Sequence, residues 1–81
     1  MDYNQLKIRV LSLFGPRELT SEEVRTQLQQ AQIELSDKAV KMALMRYTRQ
    51  GLLTRSKKKG QYHYTLTEKG SARREWLSKT K

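Results

Sequence analysis

Eighty-one residues without cysteine describe one small domain spanning 1–81, and the missing thiols exclude a disulfide framework, a thiolate metal site and a cysteine nucleophile. Charge is segregated: residues 1–37 carry four cations against six anions (net −2) and residues 38–81 thirteen against two (net +11), which implies a polyanionic partner rather than solubility alone. The apolar share of 36% gathers in short periodic clusters, no run approaches the roughly 18 residues that cross a bilayer, and Met1-Asp2-Tyr3-Asn4 lacks the features of a signal peptide, so an intracellular protein off the membrane is expected.

Residues 3–14 repeat apolar positions at helical spacing (Tyr3, Leu6, Val10, Leu13, Phe14), with Lys7, Arg9 and Ser12 outside the stripe. Gly15-Pro16 ends this helix, because glycine favours a left-handed cap and proline cannot continue the ladder. An extended piece at Glu18-Leu19 is placed to join a sheet. Thr20-Ser21-Glu22-Glu23 has the form of a capping box opening a second helix, with Leu19 and Val24 at the staple positions. Val24, Leu28 and Ala31 form its narrow apolar face.

The same grammar repeats at Ser36, a good N-cap, with Leu35 and Val40 as the staple. Val40, Ala43, Leu44 and Tyr47 then follow the 3.6 period to Gly51, a C′ residue. Two capped helices separated only by residues 32–35 predict a helix-turn-helix. Beyond Gly51 the period becomes two. Leu52-Leu53-Thr54-Arg55 and Gln61-Tyr62-His63-Tyr64-Thr65-Leu66 read as strands, the second with Tyr62, Tyr64 and Leu66 on one face. Ser56-Lys57-Lys58-Lys59-Gly60 forms a basic hairpin tip between them. Thr67 opens a last helix in which Ala72 and Trp76 share a face beside Leu77, and Gly70 weakens its first turn. The fold class is α+β, mostly α: three helices, a β-hairpin and a C-terminal helix.

Two segments carry a family resemblance. The run Val40-Lys41-Met42-Ala43-Leu44-Met45-Arg46-Tyr47-Thr48-Arg49-Gln50-Gly51-Leu52-Leu53-Thr54-Arg55 resembles the recognition helix, Gly-Leu step and wing-opening arginine of winged helix-turn-helix DNA-binding domains. Tyr64-Thr65-Leu66-Thr67-Glu68-Lys69-Gly70 is similar to their wing exit. The resemblance covers roughly residues 4–77. It implies a third helix (36–50) in the major groove, a wing (54–62) on the DNA backbone, and a homodimeric transcription regulator of bacterial, archaeal or viral type. Such a protein works in the cytoplasm, nucleoid-associated, or in a host cell's cytoplasm if viral. Tyr47 departs from the family's usual leucine, and a tyrosine packs there if its hydroxyl reaches water.

Helix N-termini enter the major groove, which makes Asp37, Lys38, Lys41 and Met42 the candidates for base edges. Lysine donates to guanine and methionine touches a thymine methyl. Asp37 either serves the helix dipole, the favoured reading, or accepts from a cytosine amino group. Ser36, Arg46 and Arg49, with Arg55, Lys57, Lys58 and Lys59 of the wing, are the candidates for phosphates. The bland reading of these charges is a solvated face contributing little to stability. Tyr3, Phe14, Trp76 and Leu77 are either simple core or a dimer seam, the seam being favoured because a two-fold protein doubles its contacts on a palindromic site.

His63, the one histidine, alternates away from the apolar face and has no ligand-spaced neighbour, so it reads as a surface wing residue and no metal is expected. No nucleophile–base pair, Gly-rich phosphate loop or Gly-x-Ser-x-Gly motif is present, and neither an enzyme, a cofactor nor a small-molecule ligand is expected. The competing readings are a DNA-coating or RNA-binding protein that uses charge alone, and a winged-helix adaptor that binds protein.

Overall fold

The computed structural model describes the backbone of residues 3–79 and the side chains of residues 4–76. Seven elements follow in order: α1 (Tyr3–Leu13), β1 (Leu19–Thr20), α2 (Ser21–Gln30), α3 (Asp37–Arg49), β2 (Leu53–Lys58), β3 (Gln61–Leu66) and α4 (Glu68–Lys79). The three strands form an antiparallel sheet in the order β1-β3-β2.

Side chains start both middle helices. At α2 the Glu23 amide donates to Thr20 Oγ1 (3.2 Å) and the Thr20 amide donates to Glu23 Oε1 (2.9 Å), the reciprocal capping box. At α3 the Ala39 amide donates to Ser36 Oγ (3.1 Å). Both helices end in the same motif. Gly51 (φ 80°) follows α3, with Gly51 N bonded to Thr48 O (3.0 Å) and Leu52 N to Tyr47 O (2.9 Å), a Schellman cap. At α2 the left-handed residue is Gln32 (φ 65°), with Gln32 N to Gln29 O (2.9 Å) and Ile33 N to Leu28 O (2.8 Å). Glutamine accepts the steric cost of that conformation because Ile33 beyond it packs against the core. Ala31, expected on the apolar face, is the C-cap and is exposed.

The core joins all layers: Val10, Leu11 and Phe14 of α1 and its end, Val24 and Leu28 of α2, Val40, Leu44 and Tyr47 of α3, with Leu19, Leu53 and Tyr64 from the sheet. Two expectations about α1 are corrected. Its buried stripe is Lys7, Val10, Leu11 and Phe14, and Lys7 is only 7% exposed. Lys7 lays its aliphatic stem into the interior while Nζ donates to Gln50 Oε1 (3.1 Å) and sits 5.8 Å from the centre of the Tyr47 ring. Tyr47 is 0% exposed, so its hydroxyl does not reach water and the ring faces an ammonium instead. Phe14, a candidate for a dimer seam, is a core residue at 1% exposure and offers no surface to a second copy.

The C-terminal helix locks the first one. Arg74 Nη1 donates to Phe14 O (2.9 Å) at the carboxyl end of α1, where a cation is favoured. Gly70, read as a weak point of α4, is buried: a Cβ there would overlap the Leu52 carbonyl oxygen and lie 2.8 Å from Leu66 Cδ1. Its missing side chain lets α4 pass against the strand entry.

Candidate nucleic-acid interface

The hairpin turns on two residues. Lys59 (φ 51°) and Gly60 (φ 80°) both have positive φ between the paired residues Lys58 and Gln61, the backbone of a type I′ turn. The five-residue tip expected from the sequence is therefore corrected: β2 continues through Lys58, and the lysines alternate between the sheet's two faces.

On one face Arg55 and Lys57 stand with Tyr62 and Tyr64. Tyr64 is buried, whereas Tyr62 is largely exposed because the tip extends past the core. The Arg55 guanidinium lies 4.3 Å, and the Lys57 ammonium 5.7 Å, from the centre of the Tyr62 ring, so the aromatic face holds both cations in place. On the other face Lys58 Nζ donates to both carboxylate oxygens of Glu18 (2.8 and 3.1 Å). His63 Nδ1 is 3.4 Å from the same carboxylate. Glu18 is held below its usual value, chiefly by the Lys58 hydrogen bond, which outweighs the desolvation of the carboxylate and is helped by the nearby Lys58 ammonium and His63. His63 thus has the acidic neighbour that sequence spacing did not show. The register that pairs Thr20 with His63 brings Glu18 to it.

The exposed side of α3 carries Lys38, Lys41, Met42, Met45, Arg46 and Arg49. Asp37 Oδ2 and Lys41 Nζ form an ion pair of 3.0 Å, one turn apart, with both side chains about half exposed. Met42 is 52% and Met45 39% exposed, and Arg49 Nη2 contacts Met45 Sδ at 3.6 Å. Between α3 and the Arg55–Tyr62 face of the wing runs an open cleft of about 620 Å³, lined by Arg25, Asp37, Lys41, Met45, Arg55 and Tyr62 among others. Arg25 Nε also donates to Leu35 O (3.2 Å), bracing the turn that sets α3 against α2.

The cleft brings Asp37, Lys41 and Arg55 of the expected site together, and adds Met45 and Tyr62. Lys38, Met42, Arg46 and Arg49 lie along the exposed side of α3 outside the cleft, Ser36 caps the helix, and Lys58 is on the opposite face of the wing. Tyr3 and Leu77 have side chains outside the described residues, and Trp76 is 57% exposed with the Arg73 guanidinium 5.6 Å from its ring. Among the described residues no helix is long and apolar enough to cross a membrane, and no group of three acidic, histidine or cysteine side chains is placed to hold a metal ion.

No protein-family model matches the chain, and no curated protein matches it. Its backbone is nevertheless similar to solved structures. A PadR-like transcription factor from Bacteroides fragilis superposes with a TM-score of 0.83 at 17% identity, over 94% of this chain and 79% of that one. A winged-helix DNA-binding protein from STIV gives 0.82 at 19% identity, over 98% and 89%. The fold is a winged helix. Bacillus subtilis PadR, solved in complex with operator DNA, superposes at 0.75 with 23% identity over 90% of this chain, which spans 46% of that one. Within the winged helix α2 and α3 form the helix-turn-helix, and β2–β3 is the wing.

Proposed function

We propose that this winged helix binds double-stranded DNA as a sequence-specific transcription regulator, with α3 in the major groove and the wing on the adjoining backbone. The observation that carries the reading is the cleft itself: an exposed helix face with Lys41 and Met45 opposes a wing face on which Tyr62 orders Arg55 and Lys57. Its Lys41, Met45, Arg55 and Tyr62 come from the half of the chain that carries net +11, while Arg25 and Asp37 come from the other half. Winged-helix neighbours described as a transcription factor and as an operator complex support the same reading. We further propose a homodimer in which the exposed Trp76 side of α4 contributes to the seam, acting in the compartment that holds the DNA.

Fluorescence anisotropy on a random duplex of about three helical turns, and on sequences enriched from a pool, tests this directly. Binding should weaken steeply with salt and favour enriched sites, with half-site spacing reporting the dimer. Salt-dependent binding without preference would leave a DNA-coating protein. No binding at low salt would end the DNA reading and favour a protein-binding adaptor.

Glu18 offers an independent check. It engages Lys58 with both oxygens, so Glu18→Gln should release that lysine to phosphate. Random-duplex affinity should then rise about eightfold at 0.1 M salt and the log–log slope steepen by about 0.9. An unchanged slope would place Lys58 away from the DNA.

A further inference from the structure

Asp37 is the feature that a phosphate-binding surface does not explain. It is an anion lining the cleft, with Glu22 of α2, and it stands at the first residue of α3. The cap of that helix is made by Ser36, whose Oγ accepts from the Ala39 amide. The Asp37 carboxylate is turned instead to Lys41, at 3.0 Å. An exposed pair one helical turn apart adds little to stability, and its mutual neutralisation weakens any pull on phosphate. Beyond serving the helix dipole as an acid in the first turn, the pair presents a pattern: an acceptor and a donor held a hydrogen bond apart on the cleft-lining edge of α3.

We infer that Asp37 and Lys41 act as one unit that reads a cytosine–guanine base pair across the major groove. Asp37 accepts from the cytosine N4 amino group while Lys41 donates to guanine O6 and N7. This rests on the DNA-binding reading above and adds to it the base pair recognised. The two base atoms suit the pair because N4 and O6 are hydrogen-bonded to each other, and so lie at the spacing of the two side-chain ends. An adenine–thymine pair also sets an amino donor beside a carbonyl acceptor, but its flanks are wrong. Adenine N7, an acceptor, would face the Asp37 carboxylate, and the thymine methyl would face the Lys41 ammonium. In the cytosine–guanine pair the outer neighbours are the cytosine C5–H beside the carboxylate and a second acceptor, N7, beside the ammonium. Only that pair, with cytosine on the Asp37 side, complements the unit at every position.

The test is selection from a random duplex pool with the wild-type chain, Asp37→Asn and Lys41→Ala, folding being checked by circular dichroism. Asparagine presents a donor as well as an acceptor and no longer favours cytosine. The wild type should enrich one cytosine–guanine position per half-site that Asp37→Asn relaxes by about tenfold, leaving the remaining positions intact. Lys41→Ala should relax that same position and no other. If all three proteins enrich the same motif with the same preference, or the wild type binds duplex without enriching any motif, the inference is overturned. If the wild type binds no duplex at low salt, the DNA reading itself has failed and this inference falls with it.

Discussion

The Gly70→Ala protein should be less stable than the wild type by about 3 kcal/mol or more. Helix propensity alone gives the opposite sign, because alanine in a helix is favoured over glycine by about 1 kcal/mol. Packing decides. The added Cβ would overlap the Leu52 carbonyl oxygen and come within 2.9 Å of its carbon and 2.8 Å of Leu66 Cδ1. The leucine side chain can turn aside, but the carbonyl cannot. Leu52 O accepts from Thr67 N (3.1 Å) and lies 3.0 Å from Thr67 Oγ1, which also donates to Gly51 O (2.6 Å) and accepts from the Gly70 amide (2.9 Å). Moving Leu52 to make room breaks the junction that joins the end of α3, the entry of β2 and the start of α4. Urea unfolding followed by circular dichroism measures the change. A midpoint equal to or above that of the wild type would show that α4 shifts freely on the sheet.

Gly70 also marks a limit of sequence reading. Signals that act within a few residues were legible: Thr20 and Glu23 form their capping box, Ser36 caps its helix, and Gly51 takes the left-handed φ its position required. The alternation of Tyr62, Tyr64 and Leu66 and the strand before α2 were legible for the same reason. What stayed hidden depends on distant partners. Lys7 is polar by type, yet Gln50 and Tyr47, far along the chain, give its ammonium a place in the interior. Gln32 closes a helix without the glycine that usually announces such a cap. The pairing of Glu18 with Lys58 follows from sheet register, which in turn depends on whether the wing turns on two residues or five. That register also separates Lys57 from Lys58 and brings Arg55 onto Tyr62, so the composition of the wing was visible while its two-sidedness was not.

Two-sidedness makes the largest expected effect on binding a selective one. Replacing Arg55, Lys57 and Lys59 together by alanine should weaken random-duplex binding by about 500-fold at 0.1 M salt and flatten the log–log salt slope by about 2.7, each lost phosphate contact contributing about 0.9 to the slope and the lines converging near 1 M. Arg55 and Lys57 are chosen because Tyr62 holds them on the cleft side, and Lys59 because it is exposed in the turn itself. Lys58 is left in place, since Glu18 already neutralises it. None of the three is buried. Losing the stack on Tyr62 costs about 0.5–1 kcal/mol at an exposed site, so the domain should remain folded and the loss should appear in binding alone. The triple variant and Glu18→Gln thus move the same slope in opposite directions, one by removing wing charge from the cleft side and the other by releasing it from the far side. Should the triple variant keep the wild-type slope, the wing does not lie on the backbone, and the phosphate contacts belong to the exposed row of α3 with Arg46 and Arg49.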